Sequence, residues 1–400
     1  MVTLAEIEQA RSRIRDSIFL SPCAHSEILS HLTGCEVFLK LENLQMTGSF
    51  KERGSMNKIL QLSTEQKQAG IITASAGNHA QGVAHVAKTN GIQATIVMPE
   101  TTPLAKIRGT EEFGARIILH GSGYDEAYAK AIELQTAEGY TFIHAFDDPQ
   151  IIAGQGTIGL ELLEQVPDMD VVVVPVGGGG LISGIATAIK AQRPEVRLIG
   201  VEAERMPAMK KSVADGRIHP LRAANTLADG IAVARVGYRT LPIVQQQVSE
   251  IITVTEEEIA NAVMVLLDRE KTLAEGAGAV GFAALYNGHV TGIEKRKVVV
   301  VISGGNIDMT MLSRILKRGL ETDGRLAHIK VVVPDRPGSI AELANIVARH
   351  RANILQIRQN RSVSEVKLEE TEVELTLETR GKTHVAEIMQ SLIGSHFKLK

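Results

Sequence analysis

Alternating short apolar strands and helices over roughly 300 residues predict an α/β fold built on parallel-type sheets, followed by a small α+β module. Three observations carry this reading. The run Val171-Val172-Val173-Val174 is β-branched without alternation, as a strand buried on both faces requires. Polar or glycine-rich groups follow three of the strands, at Ser75–His79, Gly177–Gly180 and Ser303–Asn306, where ligands gather in α/β sheets. The composition then changes after Gly319, and the late stretch Glu372 to Glu378 alternates with period two.

Taken in order, Thr3 with Glu6 three residues later predicts a capping box that opens an amphipathic helix. Glu36 to Leu41 is a strand, and a helix begins near Ser49 with Met56, Ile59 and Leu60 on it. Strands are predicted at 71–74, 94–98 and 115–119, with helices between them, after Pro103 and from Tyr124 to Ala137. A helix reaches Val166, the valine strand follows, and Leu181 to Ala191 is helical. A strand from Val196 to Val201, two helices between Glu256 and Tyr286, and a strand from Val298 to Ile302 complete this region. Residues 1–320 are therefore read as one α/β region. Residues 321–326 read as a linker and 327–400 as the last domain. That tail shows a strand at 329–333, a helix at 339–350 striped by Ile340, Leu343, Ala344 and Val347, two strands near 354–358 and 372–378, and a helix at 385–393.

Four hundred residues exceed one compact core, and 44% hydrophobic with 22% charged residues is ordinary for a soluble globular protein. A net charge of −3 leaves no polybasic surface, so neither nucleic acid nor an anionic membrane is an expected partner. No apolar run of membrane length and no signal pattern is present, and a cytoplasmic protein is expected. Two cysteines, Cys23 and Cys35, make neither a disulfide framework nor a metal cluster, so no metal is expected.

Glycines bracket a lysine and an aromatic ring in Gly48-Ser49-Phe50-Lys51-Glu52-Arg53-Gly54. Lys51 is either a solvated surface lysine or an amine placed to form a Schiff base with a carbonyl. Gly177-Gly178-Gly179-Gly180-Leu181 follows a strand and opens a helix, where backbone N–H groups can converge on a phosphate; a purely structural turn is the alternative. It lacks the Gly-Lys-Ser/Thr of a nucleotide loop and the spacing of a dinucleotide fingerprint. Ser75-Ala76-Gly77-Asn78-His79 offers a hydroxyl, an amide and backbone donors at a helix start, which suits a carboxylate; His79 by itself reads as a packed or surface histidine. Ser303 can either bond a heteroaromatic nitrogen or cap a helix. Pyridoxal 5′-phosphate has the aldehyde, phosphate and ring nitrogen that Lys51, the glycine loop and Ser303 would address.

The stretches Thr47–Gly54, Ser75–His79, Gly177–Leu181 and Ser303–Asn306 resemble, in this order, the threonine and serine dehydratases, of the tryptophan-synthase-β-like fold type of pyridoxal-phosphate enzymes. Asp335-Arg336-Pro337-Gly338-Ser339 and Ala352-Asn353-Ile354 resemble an ACT domain, with a ferredoxin-like βαββαβ order. Together the two parts are similar to the threonine ammonia-lyases that carry one such domain, and this fold type implies that residues 1–320 are the catalytic region, with a smaller subdomain of about 45–148 inserted in the larger one. The resemblance implies that Lys51 holds the cofactor and later acts as base on the substrate α-carbon. It implies that Phe50 packs beside the cofactor, Asn78 bonds the ring hydroxyl, Gly177, Gly178, Gly179, Gly180 and Leu181 hold the phosphate, and Ser303 meets the ring nitrogen. Ser75, Ala76, Gly77, Asn78 and His79 would bind the substrate, L-threonine or L-serine. Gly338, Asn353 and Ile354 would line an effector site for isoleucine, valine or a nucleotide, and a homotetramer or homodimer is implied. Serine racemases resemble the chain as well, but they have a second serine as opposite-face base where this sequence has Ala76. Some of them bind a divalent cation through strand-end acids; Glu202 could match one, or be a surface acid, while Met206-Pro207-Ala208 lacks the later acid. A serine dehydratase, a threonine synthase and a non-catalytic amino-acid sensor are the remaining alternatives.

Overall fold

A computed structural model describes residues 1–362, 366–395 and 397–400. The capping box at Thr3 forms as expected and starts the helix Leu4–Ile14. Strands β1 (Cys23–Ser26) and β2 (Glu36–Leu41) come next, and the chain then leaves their sheet. It builds β3 (Ile71–Ala74), β4 (Ala94–Met98), β5 (Arg116–Leu119) and β6 (Thr141–Phe142) into a parallel sheet of order β5-β4-β3-β6. The chain then returns with β7 (Val171–Pro175), β8 (Arg197–Ala203), β9 (Glu250–Val254) and β10 (Lys297–Ile302). The larger sheet has the order β1-β2-β10-β7-β8-β9, and every pairing in it is parallel except β1 with β2. Parallel strands covered on both faces must be apolar throughout, and all five residues of β7 are buried.

The inserted sheet carries the helices Lys51–Leu60 and Asn78–Thr89 on its flank, and their apolar faces (Met56, Ile59, Ala80, Val83) share one core with Ile71 and Ile96. The larger sheet packs Val172, Val174 and Val299 against the helix Gly180–Gln192 through Ile182, Ile185 and Ile189. The carboxyl ends of β3, β7 and β10 thus run into the three polar or glycine-rich groups.

Between the sheets lies a cluster of four buried charges. The Arg53 guanidinium donates to both oxygens of Glu42 (2.7 and 2.8 Å) and of Glu161 (2.5 and 2.9 Å). Lys40 Nζ donates to Glu161 (2.5 Å), to the Ser21 carbonyl (2.7 Å) and to Gln165 (3.0 Å). The cluster ties β2, the helix Lys51–Leu60 and the helix Pro149–Gln165 to one another.

The second compact unit is Met309–Lys400. The boundary therefore lies at 308/309 rather than at 320, because the helix Met309–Thr322 belongs to the second unit and not to the first. The expected linker at 321–326 is the last turn of that helix, a turn, and the first residue of β11 (Leu326–Pro334). With β12 (Asn353–Asn360), β13 (Glu370–Glu378) and β14 (Lys398–Leu399) it forms an antiparallel sheet of order β12-β13-β11-β14. The helices Ser339–Arg349 and Lys382–Gly394 complete the βαββαβ order. Val373, Leu375 and Leu377 face inward as the alternation requires, against Leu343, Ile346 and Val347. Ile346, not Ile340, completes that helix's stripe, since Ile340 lies in the first turn and is 37% exposed.

Removing one member of a buried ion cluster strands the others' charges, at a cost of about 3–5 kcal/mol. Arg53→Met is therefore expected to lower the urea midpoint by a corresponding amount, whereas Arg15→Ala, which breaks an exposed pair with Asp16, leaves it unchanged. Equal midpoints for both variants would show that the cluster does not hold the fold.

Candidate active site

The turn before Lys51 is laced onto the end of β10. Phe50 N–H donates to the Ser303 carbonyl (3.1 Å), Gly305 N–H to the Gly48 carbonyl (2.9 Å), and Ser49 bridges Gly304. The helix begins at Lys51 itself, so the lysine leaves the backbone beside the carboxyl end of β10. Its Nζ donates to the Ala145 carbonyl (2.9 Å) and lies 5.2 Å from the centroid of the Phe50 ring. Burial lowers the Lys51 pKa to about 8, against a smaller upward pull from the Glu275 carboxylate. A solvated surface lysine is thereby excluded. Ser303 is buried, and the next helix starts only at Met309, so its alternative as a helix cap is also removed.

Gly179 has φ +94°, which a residue with a side chain rarely adopts, and it sits as N-cap of the helix Gly180–Gln192 without a side-chain cap bond. A Cβ on Gly178 would come 2.3 Å from the Phe146 ring, and one on Gly180 2.8 Å from the Phe146 carbonyl. The loop therefore presents backbone to its surroundings, with Leu181 buried behind it. Ala145 and Phe146 join the two halves: one carbonyl holds the lysine amine and the next ring lies on the glycine loop.

The third group begins the helix Asn78–Thr89, whose N-cap Gly77 likewise has no side-chain cap bond. Ser75 Oγ accepts from Gly77 N–H at 3.3 Å, and the Ala76 methyl packs against the apolar core. Asn78 Nδ2 donates to Glu275 Oε1 (2.5 Å), and Asn78 Oδ1 accepts from Asn306 Nδ2 (2.8 Å). His79 turns inward: its Nε2 donates to the Ile143 carbonyl (3.0 Å), and burial with the nearby Lys51 charge pushes its pKa down to about 3. Of the two local readings of His79, packed or surface, the side chain takes the packed one, so any part it has in holding substrate falls to its backbone.

Four residues carry no sufficient signal in the sequence. Glu275 is buried, and burial together with the Asp229 charge pushes its carboxyl pKa up to about 7. Asn306 ends a motif that the sequence marks, yet its own bonds to Asn78 and the Thr47 carbonyl (2.7 Å) are not foreseeable from spacing. Ala145 acts through a carbonyl, which leaves no residue signature, and Phe146 looks like any loop aromatic. Glu202 is not a surface acid: it is buried, and its two oxygens accept from Met209 N–H (2.7 Å) and Lys210 N–H (2.8 Å) in the first turn of the helix Ala208–Asp215.

In the second unit, Gly338 is the N-cap of the helix Ser339–Arg349 at φ +97°, directly after β11. Asn353 donates to Glu378 (3.3 Å) at the start of β12, while Ile354 packs against the core. Since β12 runs parallel to β11 through their shared partner β13, Gly338 and Asn353 lie at opposite ends of the sheet, a strand length of roughly 25 Å apart. One copy does not bring these effector candidates together.

The donor set fits pyridoxal phosphate. A half-buried amine with a lowered pKa suits its aldehyde, and a side-chain-free turn opening an uncapped helix suits its phosphate. The buried Ser303 hydroxyl and the Asn78 amide are groups for a ring nitrogen and a ring oxygen.

The chain matches the family of pyridoxal-phosphate dependent enzymes over residues 14–304 and the ACT domain over residues 327–394. It is 50% identical over 400 residues to an L-threonine ammonia-lyase of Thermotoga maritima, covering 100% of this chain and 99% of that one. Maize serine racemase superposes with a TM-score of 0.75 at 35% identity, covering 80% of this chain and 98% of the other. Threonine deaminase isoform 2 of Solanum lycopersicum gives 0.74 at 38% identity, covering 78% and 93%. By the family matches over residues 14–304 and 327–394 and the full-length identity of 50%, the chain belongs to the pyridoxal-phosphate-dependent enzymes and carries an ACT domain.

Proposed function

We propose that this chain deaminates L-threonine to 2-oxobutanoate and ammonia, with L-serine to pyruvate as a side reaction. The observation that carries the reading is the half-buried Lys51 amine with its pKa lowered to about 8, on a segment bonded to the Ser303 strand end and held by Ala145, whose neighbour Phe146 covers the glycine loop. Bound pyridoxal phosphate supplies a sink for the electron pair left on the substrate α-carbon. Lys51 forms the covalent link to it, Phe50 walls the pocket, and Gly177, Gly178, Gly179, Gly180 and Leu181 hold the phosphate. Asn78 donates to the ring oxygen, and Ser303 meets the ring nitrogen.

The turn Ser75-Ala76-Gly77-Asn78-His79 receives the substrate carboxylate on its backbone N–H groups and the Ser75 hydroxyl. At pH 8 about half of the Lys51 amines are neutral, against well under roughly one percent for an ordinary lysine, so Lys51 can take the α-proton. The β-hydroxyl leaves with the equivalent of that proton as water. Water is taken up again when the carbon–nitrogen double bond is hydrolysed, so the net loss from threonine is ammonia. A neutral hydroxyl at Ser303 does not enforce a charged ring, which favours prompt elimination over transamination. The Ala76 methyl exchanges no proton, so Lys51 works from one face, and racemisation is disfavoured despite the likeness to a serine racemase. A sensor without turnover would not need the amine.

The ACT domain supports regulation by a small molecule, isoleucine or valine, with a nucleotide as the other candidate. Because Gly338 lies far from Asn353 and Ile354 in one copy, an effector touching both ends bridges two copies, which favours a homodimer or homotetramer. Among the described residues no helix is long and apolar enough to cross a membrane. A cytoplasmic place and a role in isoleucine biosynthesis or threonine catabolism belong to the proposal, on the likeness to threonine ammonia-lyases.

Keto-acid formation is expected from L-threonine and more weakly from L-serine, and Lys51→Ala should lose the visible cofactor band and at least about 10²–10⁴-fold in rate. Wild-type protein that makes no keto acid from either amino acid would rule out the activity. In cofactor-stripped protein, acylation of Lys51 followed by peptide mass spectrometry should rise with pH to half its maximum near 8, because only the neutral amine reacts. A midpoint above about 10, where ordinary lysines titrate, would contradict the buried setting. Isoleucine, valine or a nucleotide should change the threonine rate, and a rate indifferent to all three would remove the regulatory reading.

A further inference from the structure

Glu275 has no part in the reaction as described, yet its carboxyl sits in the middle of the site. It is 5% exposed, and its N–H donates to the Gly304 carbonyl at 3.0 Å, one residue beyond Ser303. Its Oε1 accepts from Asn78 Nδ2 at 2.5 Å. Asn78 Oδ1 in turn accepts from Asn306 Nδ2 at 2.8 Å, and Asn306 Nδ2 also donates to the Thr47 carbonyl at 2.7 Å. Above about pH 7 the Glu275 carboxyl is ionised and only accepts, so the Asn78 amide then turns its NH₂ toward it; the flipped amide would oppose two acceptors. One N–H of that NH₂ is then left for a ring oxygen.

The space around the carboxyl agrees with this. A Cβ on Gly304 would come 2.3 Å from Glu275 Oε1 and 3.2 Å from Asn78 Nδ2, and one on Gly230 would come 3.6 Å from Oε1. The carboxyl thus occupies the ground between Asn78 and the Ser303–Gly304 turn. The charged groups around Glu275 are Lys51, Asp229 and Lys106, and Lys51 in addition influences His79 and His144. Lys106 and Asp229 form an ion pair with each other, and His79 is neutral, so Lys51 is the cation that Glu275 balances.

We propose that Glu275 is a positioning residue of this reaction: its carboxylate aims the Asn78 amide at the cofactor ring and balances positive charge on the Lys51 nitrogen. The proposal rests on the cofactor reading of this site. The test compares wild-type, Glu275→Gln and Glu275→Asp holoenzymes by titrating the visible cofactor band with pH and by measuring the Kd for pyridoxal phosphate. Glutamine removes the anion and can present either end to Asn78. Its band midpoint should fall by about one pH unit, the scale of losing a nearby opposite charge, and Kd should rise about tenfold. Aspartate should recover part of the midpoint. A glutamine variant with wild-type midpoint and Kd overturns the proposal, as does an aspartate variant no better than glutamine. Should Glu275→Gln fail to fold, Gly304→Ala tests the same point by pushing the carboxyl aside, and an unchanged midpoint there overturns it. Wild-type protein with a normal band but no threonine turnover would sink the activity while leaving this comparison intact.

Discussion

Everything at the site depends on where the helix Lys51–Leu60 is held, and the Arg53 guanidinium holds it. Arg53 is 1% exposed, two residues beyond Lys51, and grips Glu42 after β2 and Glu161 on the helix Pro149–Gln165 at once. With Lys40 on Glu161 the cluster has two cations and two anions, so no net charge is buried. Such a cluster is no more stabilising than well-packed apolar groups would be, because desolvation offsets most of the attraction. Its contribution is directional. Bidentate guanidinium–carboxylate contacts fix orientation as well as distance, and so they fix the line along which Lys51 leaves the backbone.

That anchor sets the chemistry. The lysine is placed at the first residue of its helix and pointed into a pocket where burial, not a neighbouring cation, is the main cause of its lowered pKa. The helices Asn78–Thr89 and Gly180–Gln192 both open with glycine N-caps that make no side-chain bond, after strands of different sheets. Each leaves first-turn N–H groups free, and the proposed function assigns one set to a substrate carboxylate and the other to a cofactor phosphate. The two helix starts are built from the same local device, and Ala145 with Phe146 links the amine to the glycine turn.

Much of the site is legible in the sequence alone, because it is written in short contiguous stretches. Strand β4 spans the very residues its apolar run predicts, and the glycine turn, the Lys51 segment and Ser303 carry their chemistry in their own types and positions. The features that stay hidden act at a distance or without a side chain. Strand β1 reads Cys-Ala-His-Ser with no apolar alternation, since it is the edge strand of its sheet. Residues 321–322 resemble a linker in their polarity, yet they finish an amphipathic helix whose buried Ile315 is its only fully enclosed contact among the described residues. His79 has the composition of a ligand and the environment of a core residue, a distinction that only burial makes. Glu275 becomes visible only through its bond to Asn78, 197 positions away.

The central claim is that Lys51 is the amine that carries the cofactor. Borohydride reduction of the holoenzyme, followed by protease digestion and mass spectrometry, tests it directly by fixing the pyridoxyl group on whichever nitrogen bears it. The account predicts the label on the peptide containing Gly48-Ser49-Phe50-Lys51, and stoichiometric label on any other lysine would contradict it.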